Sequence, residues 1–156
     1  MKRIARFERV SEGNGGITEE ELYNLKLPKR ATKGSAGYDF FATKDIELKP
    51  GETEKIATGV RCFIEEGYVL ELYPRSGQGF KTKVQLYNTV GIVDSDYYNS
   101  DNEGHIFVKL YNDSPENKTL VIKKGEAFCQ GIFKEFFITQ DDIAEEERNG
   151  GFGSTT

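Results

Sequence analysis

Short apolar segments alternate with turn-forming stretches along this chain, and that rhythm restricts the folds it can adopt. In "EKIATGVRCFI", every second residue from Ile56 to Ile64 would lie on one apolar face of an extended chain. Further segments rich in β-branched and aromatic residues are "GYVLELY", "KVQLYNTVGIV", "HIFVKLY", "KTLVIKK" and "FCQGIFKEFFI". The turn signals "KPGE", "EEG", "NDSPEN" and "KKGE" separate them. The pattern predicts an all-β fold, a compact sandwich or jelly roll.

One segment near the N-terminus has helical character instead. Thr18 and Glu21 have the spacing of a capping box, and Ile17 and Leu22 can pack around it as a hydrophobic staple. We therefore expect a short helix in "ITEEELYNL" and a further helical turn in "TQDDIAEEE".

Length and charge exclude several classes of protein. The 156 residues fit one domain with a substantial core, and no apolar run approaches the roughly 20 residues that span a bilayer. The net charge of −5 offers no basic field to attract nucleic acid. The charged start "MKRIARFERV" lacks the apolar region of a signal peptide, so we expect a cytoplasmic protein. Cys62 and Cys129 lie inside apolar runs without a zinc pattern and are expected to be buried, reduced thiols.

Three stretches interrupt the strand pattern with polar residues suited to a ligand. "GSAGYDFFA" carries Asp39, which would equally suit a turn or a cap. "YPRSGQG", residues 73–79, is predicted to be a turn in which Arg75 and backbone N–H groups bind an anion, although a plain surface turn has the same composition. "KKGEAFCQGIF" places Gln130 in an apolar run, where it must bond either to backbone or to a ligand.

A fourth stretch, "NTVGIVDSDYYN" at residues 88–99, runs from an apolar strand into acidic and aromatic residues. Asp94, at the strand end, is suited to orient and deprotonate a water, and Tyr97 is suited to form a steric wall. The alternative is a polar strand end that leads into a loop. Asp94 and Asp96 would also suggest a metal pair, but no third ligand has a fitting spacing.

The C-terminal "RNGGFGSTT" has little to bury and a flexible backbone. Glycine-rich phosphate loops usually open a helix, and none follows here, so the segment is not a P-loop. We expect it to be ordered by the ligand that it covers.

Taken in order, these five stretches resemble the five motifs of the trimeric dUTPase family, which hydrolyses dUTP to dUMP and pyrophosphate. The motifs correspond to "AGYDFFA", "PRSGQG", "NTVGIVDSDY", "GEAFCQG" and "RNGGFGST", so the resemblance spans residues 36–155. It implies a jelly-roll domain over residues 1–147 and a flexible lid over 148–156. It also implies a homotrimer whose three active sites each combine motifs from all three chains.

The resemblance further implies a role for individual residues. Asp94 would activate the attacking water, and Tyr97 would pack on the deoxyribose and leave no room for a 2′-hydroxyl. Asp39 would lie near the water shell of a Mg²⁺ ion held mainly by the triphosphate. The other substrate-binding residues would be Asn88, Gly91, Ile92 and Val93 at uracil; Arg75, Ser76, Gly77 and Gln130 at the phosphates; and Arg148, Phe152, Gly153 and Ser154 in the tail, with Arg148 on the γ-phosphate and Phe152 over the base.

The chain departs from the family pattern after Tyr97. The insertion "YNSDNEG", residues 98–104, is either a longer polar loop or a partner surface, because it resembles phage dUTPases of Gram-positive hosts, some of which bind a repressor protein. Arg148 lies one residue closer to the glycines than in many members, and the chain ends "GSTT" where the family usually has "GSTG". His105, the single histidine, is expected to be structural because Asp94 fills the role of the base.

Two competing functions remain open from the sequence. A dCTP deaminase shares the fold, and its products, ammonia and dUTP, would distinguish it from a dUTPase. A regulator that only binds a protein partner is the alternative outside enzymes; the presence of Asp94, Tyr97, Arg75, Gln130 and Phe152 favours an active hydrolase.

Overall fold

The protein is described from a computed structural model, which covers residues 1–148 and residue 150. Short strands dominate it, with two helices, α1 at Glu19–Asn24 and α2 at Ser76–Thr82, and two 3₁₀ segments, at Asn14–Gly16 and Ser95–Asn99. The strands are β1 Ala5–Arg9, β2 Lys29–Arg30, β3 Tyr38–Phe41, β4 Ile46–Leu48, β5 Thr53–Ala57, β6 Val60–Ile64, β7 Tyr68–Tyr73, β8 Val84–Leu86, β9 Gly91–Val93, β10 Phe107–Asn112, β11 Leu120–Ile122 and β12 Ala127–Glu135. This confirms the predicted all-β class.

All strand pairs in the described residues are antiparallel. The largest sheet has the order β2-β3-β12-β7-β9, and a second sheet has the order β5-β10-β8. The pairs β1-β6 and β4-β11 complete the arrangement. Inward-facing residues of these sheets form one hydrophobic core, which includes Phe40, Leu70, Ile106, Leu110 and Phe128.

The alternation predicted for residues 54–64 is confirmed in its burial, but it covers two strands. Ile56, Thr58, Val60, Cys62 and Ile64 are all buried. The strands β5 and β6 are separated at Gly59, whose φ of +72° lies in the left-handed region. The apolar alternation continues through this break because each strand has its own antiparallel partner, β10 for β5 and β1 for β6.

Helix α1 begins with the predicted capping box. The Glu21 amide donates to Thr18 Oγ1 at 3.1 Å, and the Thr18 amide donates to Glu21 Oε2 at 2.9 Å. Ile17 and Leu22 are buried, as a hydrophobic staple requires. The second predicted helical turn is wrong: "TQDDIAEEE" contains a single turn bond, from the Asp142 amide to the Thr139 carbonyl, and no helix.

The turn predicted at residues 73–79 is also wrong, because helix α2 begins there. Arg75 is its N-cap, and the amides of Gln78 and Gly79 donate to the Arg75 carbonyl at 3.1 and 3.0 Å. Two glycines lower the intrinsic helix propensity by about 1 kcal/mol each. A tertiary bond that the sequence does not reveal, from Gln78 Nε2 to the Ala127 carbonyl at 3.3 Å, joins the helix to β12.

Both cysteines are free and buried, as expected, and burial raises the pKa of each thiol. In the part of the chain described, no helix has the length and apolar character needed to cross a membrane.

Candidate active site

Strands β3, β12 and β7 bring Asp39, which was predicted near a Mg²⁺ ion, close to Arg75 and Gln130, which were predicted at the phosphates. Gln130 on β12 lies opposite Asp39 on β3 and opposite Tyr73 on β7. Arg75 follows β7, and its Nε donates to Asp39 Oδ1 at 3.0 Å. Gln130 Nε2 donates to the Pro74 carbonyl at 3.0 Å. We call Asp39, Arg75 and Gln130 the basic–amide cluster.

Local sequence fixes the geometry of this cluster. A Cβ atom at Gly37 would lie 2.3 Å from Gln130 Oε1, so a glycine there leaves room for the glutamine side chain. Ser76 and Gly77 form the first turn of α2, where backbone N–H groups have no partner within the helix. These N–H groups lie next to Arg75, whose side chain is 41% exposed, and the combination is suited to an anion.

The predicted uracil residues lie on the connection between β8 and β9 and on β9 itself; the two strands belong to different sheets. Asn88 is exposed in its turn, where the Val90 amide donates to the Asn88 carbonyl at 2.8 Å. On β9, Gly91 and Val93 are buried and Ile92 is 49% exposed. This segment therefore presents Asn88 and Ile92 to the outside.

Asp94 follows β9 directly, and its carboxylate forms an ion pair with the Arg148 side chain. Arg148 Nη2 lies 2.6 Å from Asp94 Oδ2, and Arg148 Nε lies 2.8 Å from Asp96 Oδ1. The Arg148 side chain is only 13% exposed between these carboxylates. Sequence reasoning considered Asp96 only as a metal ligand, whereas the structure gives it an ion pair with the tail.

Tyr97 is almost completely buried, at 3% exposure, although it was predicted to form a wall against substrate. Its hydroxyl donates to the His105 carbonyl at 2.5 Å and accepts a bond from Asn102 Nδ2 at 2.8 Å. Burial raises the pKa of the phenol, so the hydroxyl stays protonated at neutral pH. Asn102 was not predicted as a site residue, because no motif marks it.

His105 is structural, as expected. It is fully buried, and Nε2 accepts from the Gly59 amide at 2.9 Å. Burial lowers the pKa of its imidazole to about 4.

The register of β7 and β9 separates Asp94 from the basic–amide cluster within one chain. Val93, next to Asp94, pairs with Leu70 on β7, and Arg75 lies five residues further along. The strand from Leu70 to its end at Tyr73 covers about 10 Å at about 3.3 Å per residue, and Arg75 lies beyond that end.

Phe152, Gly153 and Ser154 lie outside the described residues. Among the residues that are described, no group of three or more His, Cys, Asp or Glu side chains could hold a metal ion. The structure thus combines an anion-binding cluster with a carboxylate at a strand end, on an antiparallel β fold. This combination is suited to the hydrolysis of a phosphoanhydride bond by an activated water.

Comparison with known proteins identifies the family to which this chain belongs. A family model of dUTPases matches residues 23–156. The deoxyuridine 5′-triphosphate nucleotidohydrolase of Lactococcus lactis subsp. lactis (strain IL1403) is 42% identical over 142 residues, which cover 89% of this chain and 93% of that protein. The chain belongs to the dUTPase family.

Solved structures agree with this assignment. The dUTPase of Streptococcus mutans matches with a TM-score of 0.69 and 36% identity, over 86% of this chain and 98% of that one. The dUTPase of phage phi11 of S. aureus matches with a TM-score of 0.68 over 92% of this chain and 97% of that one. Its 24% identity shows the fold alone. Another structure of that phage enzyme, as a mutant, concerns the coordination of a structural Mg(II) ion.

Proposed function

We propose that this enzyme hydrolyses dUTP to dUMP and pyrophosphate through attack of water on the α-phosphate. The observation that carries the proposal is the basic–amide cluster at the start of α2, where Arg75 bonds to Asp39 at 3.0 Å and remains partly exposed. The activity would limit uracil incorporation into DNA and supply dUMP for thymidylate synthesis in the cytoplasm.

The chain's own residues have distinct tasks in this reaction. Arg75, the amides of Ser76 and Gly77, and Gln130 bind phosphate oxygens, while Asp94 accepts a proton from the attacking water. Asn88, Ile92 and the neighbouring backbone of β9 bind uracil, and Tyr97 packs on the deoxyribose.

The Arg148–Asp94 contact must break before Asp94 can act as a base. An anionic triphosphate competes with the two carboxylates for the Arg148 guanidinium, which then moves to the γ-phosphate. Residues 148–156 form the lid in this proposal, with Phe152 stacked over the base and Gly153 and Ser154 as further contacts.

A Mg²⁺ ion fits this donor set only as a partner of the substrate. Asp39 is the carboxylate in the basic–amide cluster and is already bonded to Arg75. Mg²⁺ commonly keeps several waters and binds through substrate phosphates with one or two carboxylates, so Asp39 would contact its water shell. When bound, the ion neutralises phosphate charge.

A homotrimer is part of the proposal because Asp94 and Arg75 lie at opposite ends of β7 within one chain. We infer that a site which uses both combines different chains. Light scattering should give about three times 17.6 kDa, and an active monomer would contradict the shared site.

The proposal stops at hydrolysis and does not include repressor binding. The structure describes all of residues 98–104, and of these Asn99 and Asp101 are exposed. The phage protein that shares the fold is 24% identical to this chain. A pull-down with a repressor, with and without a non-hydrolysable dUTP analogue, tests separately whether residues 98–104 bind a protein partner.

The decisive experiment compares Asp94→Asn with Asp101→Asn, which removes a nearby exposed carboxylate. Asp94→Asn should keep nucleotide binding and lose turnover by about 10²-fold or more, while Asp101→Asn should retain activity. Products are identified by chromatography. Near-normal kcat in Asp94→Asn contradicts the assignment of the base, and ammonia with dUTP as the product from dCTP would establish a deaminase instead.

A further inference from the structure

We propose that Asn102, in the insertion at residues 98–104, is a positioning residue that holds the Tyr97 ring and thereby strengthens the rejection of ribonucleotides. The inference rests on the proposed role of Tyr97 as the wall beside the deoxyribose. It assigns a task within the active site to a segment that has no counterpart in the five motifs.

The phenol oxygen of Tyr97 is held from two sides. It donates its proton to the His105 carbonyl and accepts a hydrogen bond from Asn102 Nδ2 at 2.8 Å. Gly104 packs against the Tyr97 backbone so closely that a Cβ atom there would lie 2.6 Å from the Tyr97 carbonyl oxygen. The end of the ring and its backbone are therefore both held by residues 102–105.

Asn102 is itself fixed by its neighbours. Its Oδ1 accepts from the Gly104 amide at 3.1 Å, which orients the amide group so that Nδ2 points to Tyr97. Its carbonyl accepts from Asn14 Nδ2 at 2.7 Å, and Asn14 Oδ1 lies 3.1 Å from His105 Nδ1. Three buried or half-buried polar groups around the phenol thus belong to one bonded network.

The neutral state and the tautomer of His105 fix which groups donate and which accept in this network. Burial lowers the pKa of the imidazole to about 4, so the ring is neutral at pH 7. Its Nε2 accepts from the Gly59 amide at 2.9 Å, so the proton resides on Nδ1 and is donated to Asn14 Oδ1. Asn14 can then donate through Nδ2 to the Asn102 carbonyl.

The rest of the insertion is braced against the body of the protein. Arg61 Nε donates to the Glu103 carbonyl at 2.7 Å, and Arg61 Nη2 donates to the Tyr98 carbonyl at 2.9 Å. Glu103 Oε2 also accepts from the Ser11 amide at 3.0 Å. The insertion is therefore an ordered support behind Tyr97.

Such a support affects the chemistry because exclusion of one hydroxyl depends on small displacements. A tyrosine ring that loses the Asn102 hydrogen bond is held less firmly, and a ring that can shift relieves the clash with a 2′-hydroxyl. Side chains that set specificity work when neighbouring hydrogen bonds lock their rotamers.

The test measures kcat/KM for dUTP and for UTP, and compares the ratio of the two between variants. This ratio does not depend on the amount of correctly folded enzyme, so a loss of stability does not change it. Asn102→Ala should lower the dUTP/UTP ratio by about three- to ten-fold, the effect of one hydrogen bond of ordinary net strength. Asp101→Ala, an exposed neighbour, is the matched control and should keep the wild-type ratio.

A double-mutant cycle shows whether the effect passes through the phenol. Tyr97→Phe removes the oxygen that Asn102 binds, so Asn102→Ala should have no further effect on the ratio in that background. If Asn102→Ala does not fold, Asn102→Ser keeps an oxygen that can accept from the Gly104 amide and lacks the amide donor to Tyr97, so it should lower the ratio similarly.

The outcomes separate this inference from the proposed function. Wild-type enzyme without dUTP hydrolysis would contradict the proposed function itself. Wild-type discrimination that is unchanged in Asn102→Ala, or in Asn102→Ser where the alanine variant does not fold, would overturn the inference alone. An equal loss in the Tyr97→Phe background would overturn it as well, because the effect would not depend on the phenol.

Discussion

The buried His105 should make the protein less stable as the pH falls, and the size of the effect follows from its surroundings. Burial lowers the imidazole pKa to about 4 in the folded protein, against a reference value of 6.5 for an accessible histidine. Between these two values the unfolded chain binds a proton that the folded protein does not, so protonation favours unfolding. The penalty is absent well above pH 6.5 and complete below about pH 4.

The two pKa values give the magnitude. From pH 7.5 to pH 5.5 the free energy of unfolding should fall by about 1.3 kcal/mol because of this single group. With a urea m-value of about 2 kcal/mol/M, the unfolding midpoint should move down by roughly 0.6 M. No other histidine contributes, since the chain has only one.

Urea unfolding at both pH values, at one fixed protein concentration, measures the effect. Fixed concentration matters because subunit association contributes to the midpoint. His105→Gln is the control: carboxylates titrate equally in both proteins, so the difference between their pH shifts isolates the imidazole. Equal shifts in the two proteins, or a His105 pKa above 6 measured by NMR, would refute the reasoning.

Three further outcomes follow from the structure. Gly59→Ala should destabilise the protein by about 2 kcal/mol or more in urea unfolding, because the φ of Gly59 is +72° and a Cβ atom would lie 2.6 Å from Ile17 Cδ1. The control Gly67→Ala, at a φ of +85° with open space around it, should lower the free energy of unfolding by only about 1–2 kcal/mol. Equal losses in the two variants would exclude a packing contribution at Gly59. Thr18→Ala should cost about 1 kcal/mol in the same assay through loss of the cap of α1, and an unchanged midpoint would show that the cap is dispensable. Deletion of residues 148–156 should preserve the fold by circular dichroism and lower kcat/KM for dUTP by about 10²-fold; normal kcat/KM would contradict the lid.

The strand content could be predicted from the sequence because burial on one face leaves a period of two. The same signal did not locate the break at Gly59, since both strands bury the same face and the period continues across it. Strand β1 was not predicted: "ARFER" has three charged or polar positions among five, and it is a strand because β6 pairs with it. Helix α2 was not predicted because local propensity argues against it and the bond to β12 is tertiary.

In the candidate site, too, the residues within motifs could be predicted from the sequence, whereas contacts that depend on the tertiary fold could not. The family resemblance predicted Asp39 near a Mg²⁺ ion and Arg75 and Gln130 at the phosphates; the structure places these three side chains on neighbouring elements, and their roles stay predictions. Asn102 could not be predicted, because its contact with Tyr97 depends on how the insertion folds back. The ion pair between Arg148 and Asp94 could likewise not be predicted from the sequence, because the two residues are 54 positions apart in the chain.

The proposed site, in which Asp94 and Arg75 come from different chains, would have a genetic consequence. Where a working centre takes its carboxylate from one polypeptide and its guanidinium from another, two inactive alleles can complement each other. Co-assembly of Asp94→Asn chains with Arg75→Ala chains in equal amounts would restore roughly a quarter of the active sites. These are the sites in which the chain that supplies residue 94 has the wild-type aspartate and the chain that supplies residue 75 has the wild-type arginine. A cell that carries both alleles would then retain an activity that neither allele encodes alone.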